Sequence, residues 1–595
     1  MQWTFVEQSS STFHRYYSMN IFQRSLYMQW TALFRRAGGK VLLGLMLLLL
    51  PLLASCGGPT PISFTSLDLG IPAAAANSPV TGSVPDNTPM HVGITFKMSQ
   101  NLLNHLGSQT PQARTPSHVE KFANQLGIDD ATYQKIKDFF NLSGLKLKLS
   151  KLRTNLTIDG KASLFAKIFQ THFVRHAYHN RTFFAPATAP KLPTFLAHTI
   201  VAITGLDNYS SPPQHAFMPL QTLHSRQTGR AQQDCSPDSS FLLPKEIAHA
   251  YGFDQLWNRG WHGENMTVNL VEIDGFYQQD VQNYLDCINF QGKIEVADID
   301  NSPTQAAGES TLDLEMVAGL ARSSHIVDYE TGPVNDNDVW TQVNDELQQI
   351  IDDNTNNAGS GSVVSISLGI DEGEMDSGDL RAIDQSLQEL TQVEHMRVFV
   401  ASGDCGAFAD GVYRDLSVSF PATDPWATAV GGTILQINGA QQRASEIAWS
   451  DASNTSRCQN QWGTGGGISQ VYAPLSWQSG TSHRAIPDVA AVAYDLAVYF
   501  QGQWVAVGGT SAAAPIWATG LALVNEGLIS QLHTFTASPQ LFYNVARGAG
   551  GLQPYFDVTR GNNLYYQARP GWDYTTGLGT PNLAAFYQAL YNQLR

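Results

Sequence analysis

The chain has 595 residues, too many for one ordinary domain, and its 43% apolar content with 50 Gly and 28 Pro is that of a turn-rich globular protein rather than a disordered one. Its net charge of −16 conceals a split: residues 91–206 hold 14 Lys+Arg against 5 Asp+Glu, a net of +9, and residues 241–595 hold 14 against 40, a net of −26. So acidic a larger part repels phosphate and excludes nucleic acid as a partner. The two blocks can clamp together or be unrelated surfaces.

At the N-terminus, Arg35, Arg36 and Lys40 precede the apolar run 41–50, which closes on Leu53-Ala54-Ser55-Cys56. A run this short with small residues after it predicts a cleaved export signal over 1–56 rather than a spanning helix. Leu-Ala-Ser-Cys resembles a bacterial lipobox, which would make Cys56 a lipidation site; an ordinary signal peptide with an incidental Cys is the alternative. Residues 57–89, rich in Pro, Ser, Thr and Ala with almost no charge, suit a flexible tether. Cys235, Cys287, Cys405 and Cys458 remain after export, enough for two disulfides in any of three connectivities.

Residues 90–206 change character. Alternation predicts strands over 91–96, 145–149 and 155–160, and helical spacing covers 117–127, 131–143 and 162–171. That order suits a small α+β sandwich. The polar stretch 207–240 reads as an exposed linker open to proteolysis. From 241 to 595 strands (267–273, 363–368, 397–401) alternate with amphipathic helices (310–322, 378–393), which predicts an α/β fold with a mostly parallel sheet and sites at the strands' carboxyl ends.

Within that region Gly508-Gly509-Thr510-Ser511-Ala512-Ala513-Ala514-Pro515 reads as a tight turn into a helix, with Pro515 in its first turn. Backbone N–H groups at such a start can hold an oxyanion beside Ser511, although capping serines also occupy such places. A His-Gly-Thr-x-Val-Ala setting for a histidine base is missing: His262-Gly263 continues into Glu264-Asn265, and His325 follows two serines. Glu309 and Asp313, four apart in Gly308-Glu309-Ser310-Thr311-Leu312-Asp313, share one helical face that runs on into Met316, Val317 and Leu320. Two carboxylates so placed either decorate a solvated face or point inward as an acid–base pair.

Glu-x-x-x-Asp, then Ala401-Ser402-Gly403-Asp404-Cys405-Gly406, then Gly-Thr-Ser-x-x-x-Pro, in that order, resemble the sedolisin (serine-carboxyl peptidase) family. The resemblance implies a subtilisin-like catalytic domain over 241–595, with Ser511 as nucleophile, Glu309 as its base, Asp313 orienting Glu309, and Asp404 in the oxyanion hole. Glu272 matches an accessory acid of some members. The blocks at 420–422, 430–433, 465–469 and 486–489 also match, while Cys405 replaces the usual Ser and Leu368 the usual aromatic. A carboxylate base near its ordinary pKa of about 4.3 works in acid where imidazole is protonated, and Asp404 must be neutral to donate to an oxyanion.

Phe556-Asp557-Val558-Thr559-Arg560-Gly561 and Arg569-Pro570-Gly571-Trp572-Asp573 resemble the family's calcium loops. This implies one structural Ca²⁺ held by the side chains of Asp557 and Asp573 and the carbonyls of Val558, Arg569 and Gly571, with Arg569 standing where Gly is usual. Residues 90–206 resemble the pro-kumamolisin activation domain, in Asn155-Leu156-Thr157-Ile158 and in Ile203-Thr204-Gly205-Leu206. The implied protein is a monomeric zymogen acting on polypeptides, with its own prodomain as inhibitor. Before maturation it is tied to a membrane only through a lipidated Cys56; cleavage within 207–240 then frees an extracellular enzyme. A histidine-dependent subtilisin-type peptidase and a catalytically silent binding protein are the rival readings.

Overall fold

The computed structural model describes residues 63–595 apart from 110–117, 179–180, 211–217, 223–240, 301–303, 333–337, 412–414, 453–457, 459–460 and 479. The export signal, Cys56, Cys235 and most of the linker expected at 207–240 lie outside the described residues.

The apolar runs of the C-terminal region build the sheet. Strands β1 (Thr267–Glu272), β2 (Lys293–Asp298), β3 (His325–Glu330), β4 (Val363–Ile366), β5 (Arg397–Ala401), β6 (Ala427–Ile437), β7 (Arg443–Ala448) and β8 (Val489–Val492) lie in the order β2-β3-β1-β4-β5-β6-β7, with β8 also on β6. Every pairing is parallel except β6 with β7. The central strands β4 and β5 are buried along their whole length, as strands covered on both faces must be. Helices α1 (Glu309–Leu320), α2 (Val339–Asn354), α3 (Ser377–Gln392) and α4 (Thr510–Leu532) flank it. Asp338 and Asp376 cap α2 and α3 by accepting backbone N–H bonds from Trp340 and Thr341 and from Gly378 and Asp379. This is the doubly covered, mostly parallel sheet that the alternating pattern predicts.

The N-terminal region forms a four-stranded antiparallel sheet, in the order Lys146–Leu149, Asn155–Lys161, Pro89–Phe96, Ile200–Thr204, over its own apolar core. Two of the expected boundaries move. The tether expected over 57–89 gives way to structure: Phe64–Ser66 pairs with Lys191–Pro193, and Val80–Ser83 with Phe173–Tyr178. The low charge that suits a tether also suits short edge strands, and backbone pairing decides between them. At the other end, Asp207, Tyr209 and Ser210 are buried, and Met218–Thr222 pairs antiparallel with Gln503–Gly508, the strand that leads into Ser511. The exposed linker is therefore shorter than 207–240.

The basic and acidic blocks do meet. Leu103, Leu106, Val119, Leu126 and Leu152 of the first share a core with Val343, Leu347, Ile350 and Leu390 of the second. Polar bonds surround it: the Lys151 N–H donates to Asp352 at 2.7 Å, Thr154 Oγ1 to Glu389 at 3.0 Å, and Gln385 Nε2 to the Phe96 carbonyl at 2.9 Å.

Candidate active site

Three neighbouring parallel strands deliver their carboxyl ends to one place. Glu272 ends β1, Ser367 follows β4, and Ser402-Gly403-Asp404 follows β5, the edge of an α/β sheet where ligand sites form. Ser511 reaches the same spot from the first turn of α4. Ser367, Leu368, Gly369, Ser402, Asp404 and Ser511 line one cavity there. Among the described residues no histidine lines it; His325 sits on β3, 3.3 Å from Glu295.

The pair on α1 points inward. Every residue of α1 is buried, including Glu309 at 1% exposure and Asp313 at 0%. The start of α1 is held by Asp274, which accepts the Ser310 N–H at 3.2 Å. Burial pushes Glu309 well above the ordinary carboxyl range, Asp313's charge adds to this, and a hydrogen bond with Ser511 opposes it. Burial pushes Asp313 up to about 8 against hydrogen bonds from Ser367 and Glu272. Glu272 is raised as well, by burial and then by the charges of Asp313 and Asp328. Glu272, Asp313, Glu309 and Ser511 thus form a hydrogen-bonded and electrostatically linked series in which the carboxyls cannot all ionise at neutral pH.

The proline after Ser511 has a local consequence. Pro515 lies inside α4, beyond the first turn where it was expected, and has no N–H for the Ser511 carbonyl. Ser367 Oγ takes up that carbonyl at 3.1 Å while lying 2.6 Å from Asp313 Oδ2. In return Ser511 Oγ donates to the Ser367 carbonyl at 3.2 Å. Ser367 therefore ties the α1 acids to the α4 serine. Its place at the end of the strand expected over 363–368 was legible, but its bridging contact was not.

Asp404 is buried and fixed. Its Oδ1 accepts from the Thr510 N–H at 2.7 Å and from Thr510 Oγ1 at 2.9 Å, one residue before Ser511. Gly403 holds a φ of +100°, which a side chain would oppose, and a Cβ on Gly465 would fall 1.9 Å from the Ser402 carbonyl. That is the physical need behind the Gly465-Gly466-Gly467 run. Cys405 pairs with Cys458, which pins the residue after Asp404; Cys287 is also disulfide-bonded.

The two C-terminal loops converge as well. The Gly571 N–H donates to Asp557 at 2.9 Å and the Arg569 N–H to Asp573 at 2.7 Å. Asp573 is further oriented by the Thr575 and Thr576 N–H groups, each at 2.8 Å. Arg569 is not among the residues with positive φ, so the position tolerates a side chain. Asp557 and Asp573 thus bring two carboxylates to the meeting of these loops, and carboxylate oxygens suit a hard cation.

Comparison with known proteins agrees with this arrangement. The family model "Pro-kumamolisin, activation domain" matches residues 76–209, and the "Subtilase family" model matches 299–539. Kumamolisin of Bacillus sp. is 26% identical over 561 residues, 87% of this chain and 94% of that protein. Sedolisin of Pseudomonas sp. is 26% identical over 495 residues, 78% of this chain and 80% of that one. The solved structure of Pseudomonas sedolisin complexed with two molecules of pseudo-iodotyrostatin superposes with a TM-score of 0.51 at 27% identity, covering 59% of this chain and 98% of that chain. A subtilisin-type sheet behind an activation domain defines a serine-type peptidase made as a zymogen. Within that class the chain is similar along most of its length to sedolisins, the serine-carboxyl peptidases.

Proposed function

We propose that this protein is an exported, acid-active endopeptidase in which Ser511 forms an acyl-enzyme, Glu309 takes its proton, Asp313 and Glu272 hold Glu309 in place, and Asp404 donates to the oxyanion. The observation that carries this is the linkage of Ser511 to the buried acids of α1 in a cleft that no described histidine lines. One negative charge shared over Glu309, Asp313 and Glu272 suits acid pH. The upward shift of Asp313 to about 8 then marks loss of a later proton, which stays in place through the acid range. With Oδ1 of Asp404 already accepting two bonds, the proton of the neutral acid falls to Oδ2, which is then the oxyanion donor.

One Ca²⁺ held by Asp557, Asp573 and the carbonyls of Val558, Arg569 and Gly571 would brace the two C-terminal loops against each other. The prodomain packs on the catalytic domain through a shared apolar core, and the opposite net charges of the two blocks add an attraction that acid weakens by neutralising carboxylates. Cleavage after the prodomain then separates the catalytic domain from a lipidated Cys56 and releases it outside the cell. Purified precursor brought to pH 4 should cut itself, and the Ser511→Ala precursor should not. Cleavage by the Ser511→Ala protein without added protease would defeat self-processing.

A further inference from the structure

The seam between prodomain and catalytic domain holds a cluster that catalysis does not use. His91, on the strand Pro89–Phe96, is 7% exposed and lies opposite Asp159 of the adjacent strand. Its Nδ1 is 2.7 Å from Asp159 Oδ1. Its Nε2 faces the catalytic domain, 2.5 Å from Asp345 Oδ2 on α2 and 3.7 Å from Asp300 Oδ2 just after β2. If Nδ1–H donates to Asp159, the Nε2 lone pair confronts two carboxylates, and a positive charge must lie between them. A proton is the simplest such charge.

Other features call for more than a proton. Asp345 is 7% exposed and shares a hydrogen bond with Asp300, yet its Oδ1 receives no N–H or hydroxyl donor. The cluster opens on a cavity of about 500 Å³ lined by six aspartates and a single lysine, Lys148, whose Nζ already bonds Gln349. Asn155 Oδ1 and Gln348 Oε1, on the same cavity wall, are also buried and unpartnered. Polar oxygens left without donors at this depth are unfavourable. His91, Asp300 and Asp345 each bring one ligand atom to within 4.8 Å of the others.

We propose that His91, Asp300 and Asp345 bind a divalent first-row transition metal of the Zn²⁺ class, which staples the prodomain to the catalytic domain. One imidazole nitrogen, two carboxylates and space for water make a coordination set suited to that class, and softer or purely oxygen-seeking ions fit it less well. The Nδ1–Asp159 bond supplies the outer partner that fixes a ligating imidazole in the right tautomer. Because the ligands come from both sides of the seam, the ion binds the assembled zymogen, and separation of the domains dismantles its site.

The test uses the full-length Ser511→Ala precursor, which cannot process itself, free of any affinity tag and stripped of metal. It is equilibrated with Zn²⁺ at pH 7.5 in millimolar Ca²⁺, desalted, and assayed for bound zinc by mass spectrometry and for thermal unfolding. The expected result is one zinc per chain and a higher melting temperature. Both should be lost, with affinity down at least 100-fold, in His91→Gln and in Asp300→Ala, the latter at a partly exposed position that folding tolerates. Absence of stoichiometric zinc would mean that a proton fills the site and would overturn the proposal. Undiminished zinc in either variant would overturn it equally.

Discussion

Asp313→Asn, built into the Ser511→Ala precursor, should flatten the dependence of stability on pH. Asn keeps an oxygen for the Ser367 hydroxyl, now 2.6 Å from Asp313, but cannot titrate. In the unfolded chain this carboxyl gives up its proton near 3.8, and in the folded protein only near 8. Between those values the folded state binds more protons than the unfolded one, so the contribution is complete below about pH 4 and is lost as pH rises toward 8. Each pKa unit is worth 1.36 kcal/mol, which puts the swing on the order of 5 kcal/mol, shared in part with Glu309 and Glu272. Urea-unfolding midpoints of parent and variant at pH 4.5 and pH 8 measure it. The parent should lose several kcal/mol more than the variant between the two conditions. Equal losses would refute the idea that Asp313 keeps its proton in the folded protein.

Asp404→Ala should lower turnover of a peptide substrate about 100- to 1000-fold, as removal of one oxyanion donor does, with folding intact by circular dichroism. A loss of less than tenfold would take Asp404 out of the oxyanion hole. Chelation with EGTA should lower the melting temperature of the precursor, and Ca²⁺ but not Mg²⁺ should restore it, since the donor set is large and all oxygen. An unchanged melting temperature would remove calcium from the 557–573 loops.

Much of the fold was legible because the C-terminal strands are short apolar runs and the helices between them keep a 3.6-residue period. The inward direction of Glu309 and Asp313 could be read from Met316, Val317 and Leu320 on the same face, and the structure buries all of α1. What sequence could not carry was pairing across distance. Strands at 64–66 and 80–83 are too short to signal themselves, and only distant partners, Pro193 for Phe64 and His176 for Val80, make them strands. Ser367 looked like one more serine at the end of a strand. Its role as a bridge depends on a carbonyl freed by Pro515, 148 positions later in the chain. Cys405 and Cys458 were two of four candidates until the loop after β5 brought them together. His91 gave no signal at all, because its partners Asp159, Asp300 and Asp345 are distributed over two domains.

The central claim is that a carboxylate, not an imidazole, activates Ser511, and the pH profile of the processed enzyme tests it most directly. Hydrolysis of a denatured protein should peak below pH 6, vanish in Ser511→Ala, and fall by at least 1000-fold in Glu309→Gln. A maximum above pH 7, or a Glu309→Gln enzyme as active as the parent, would contradict it.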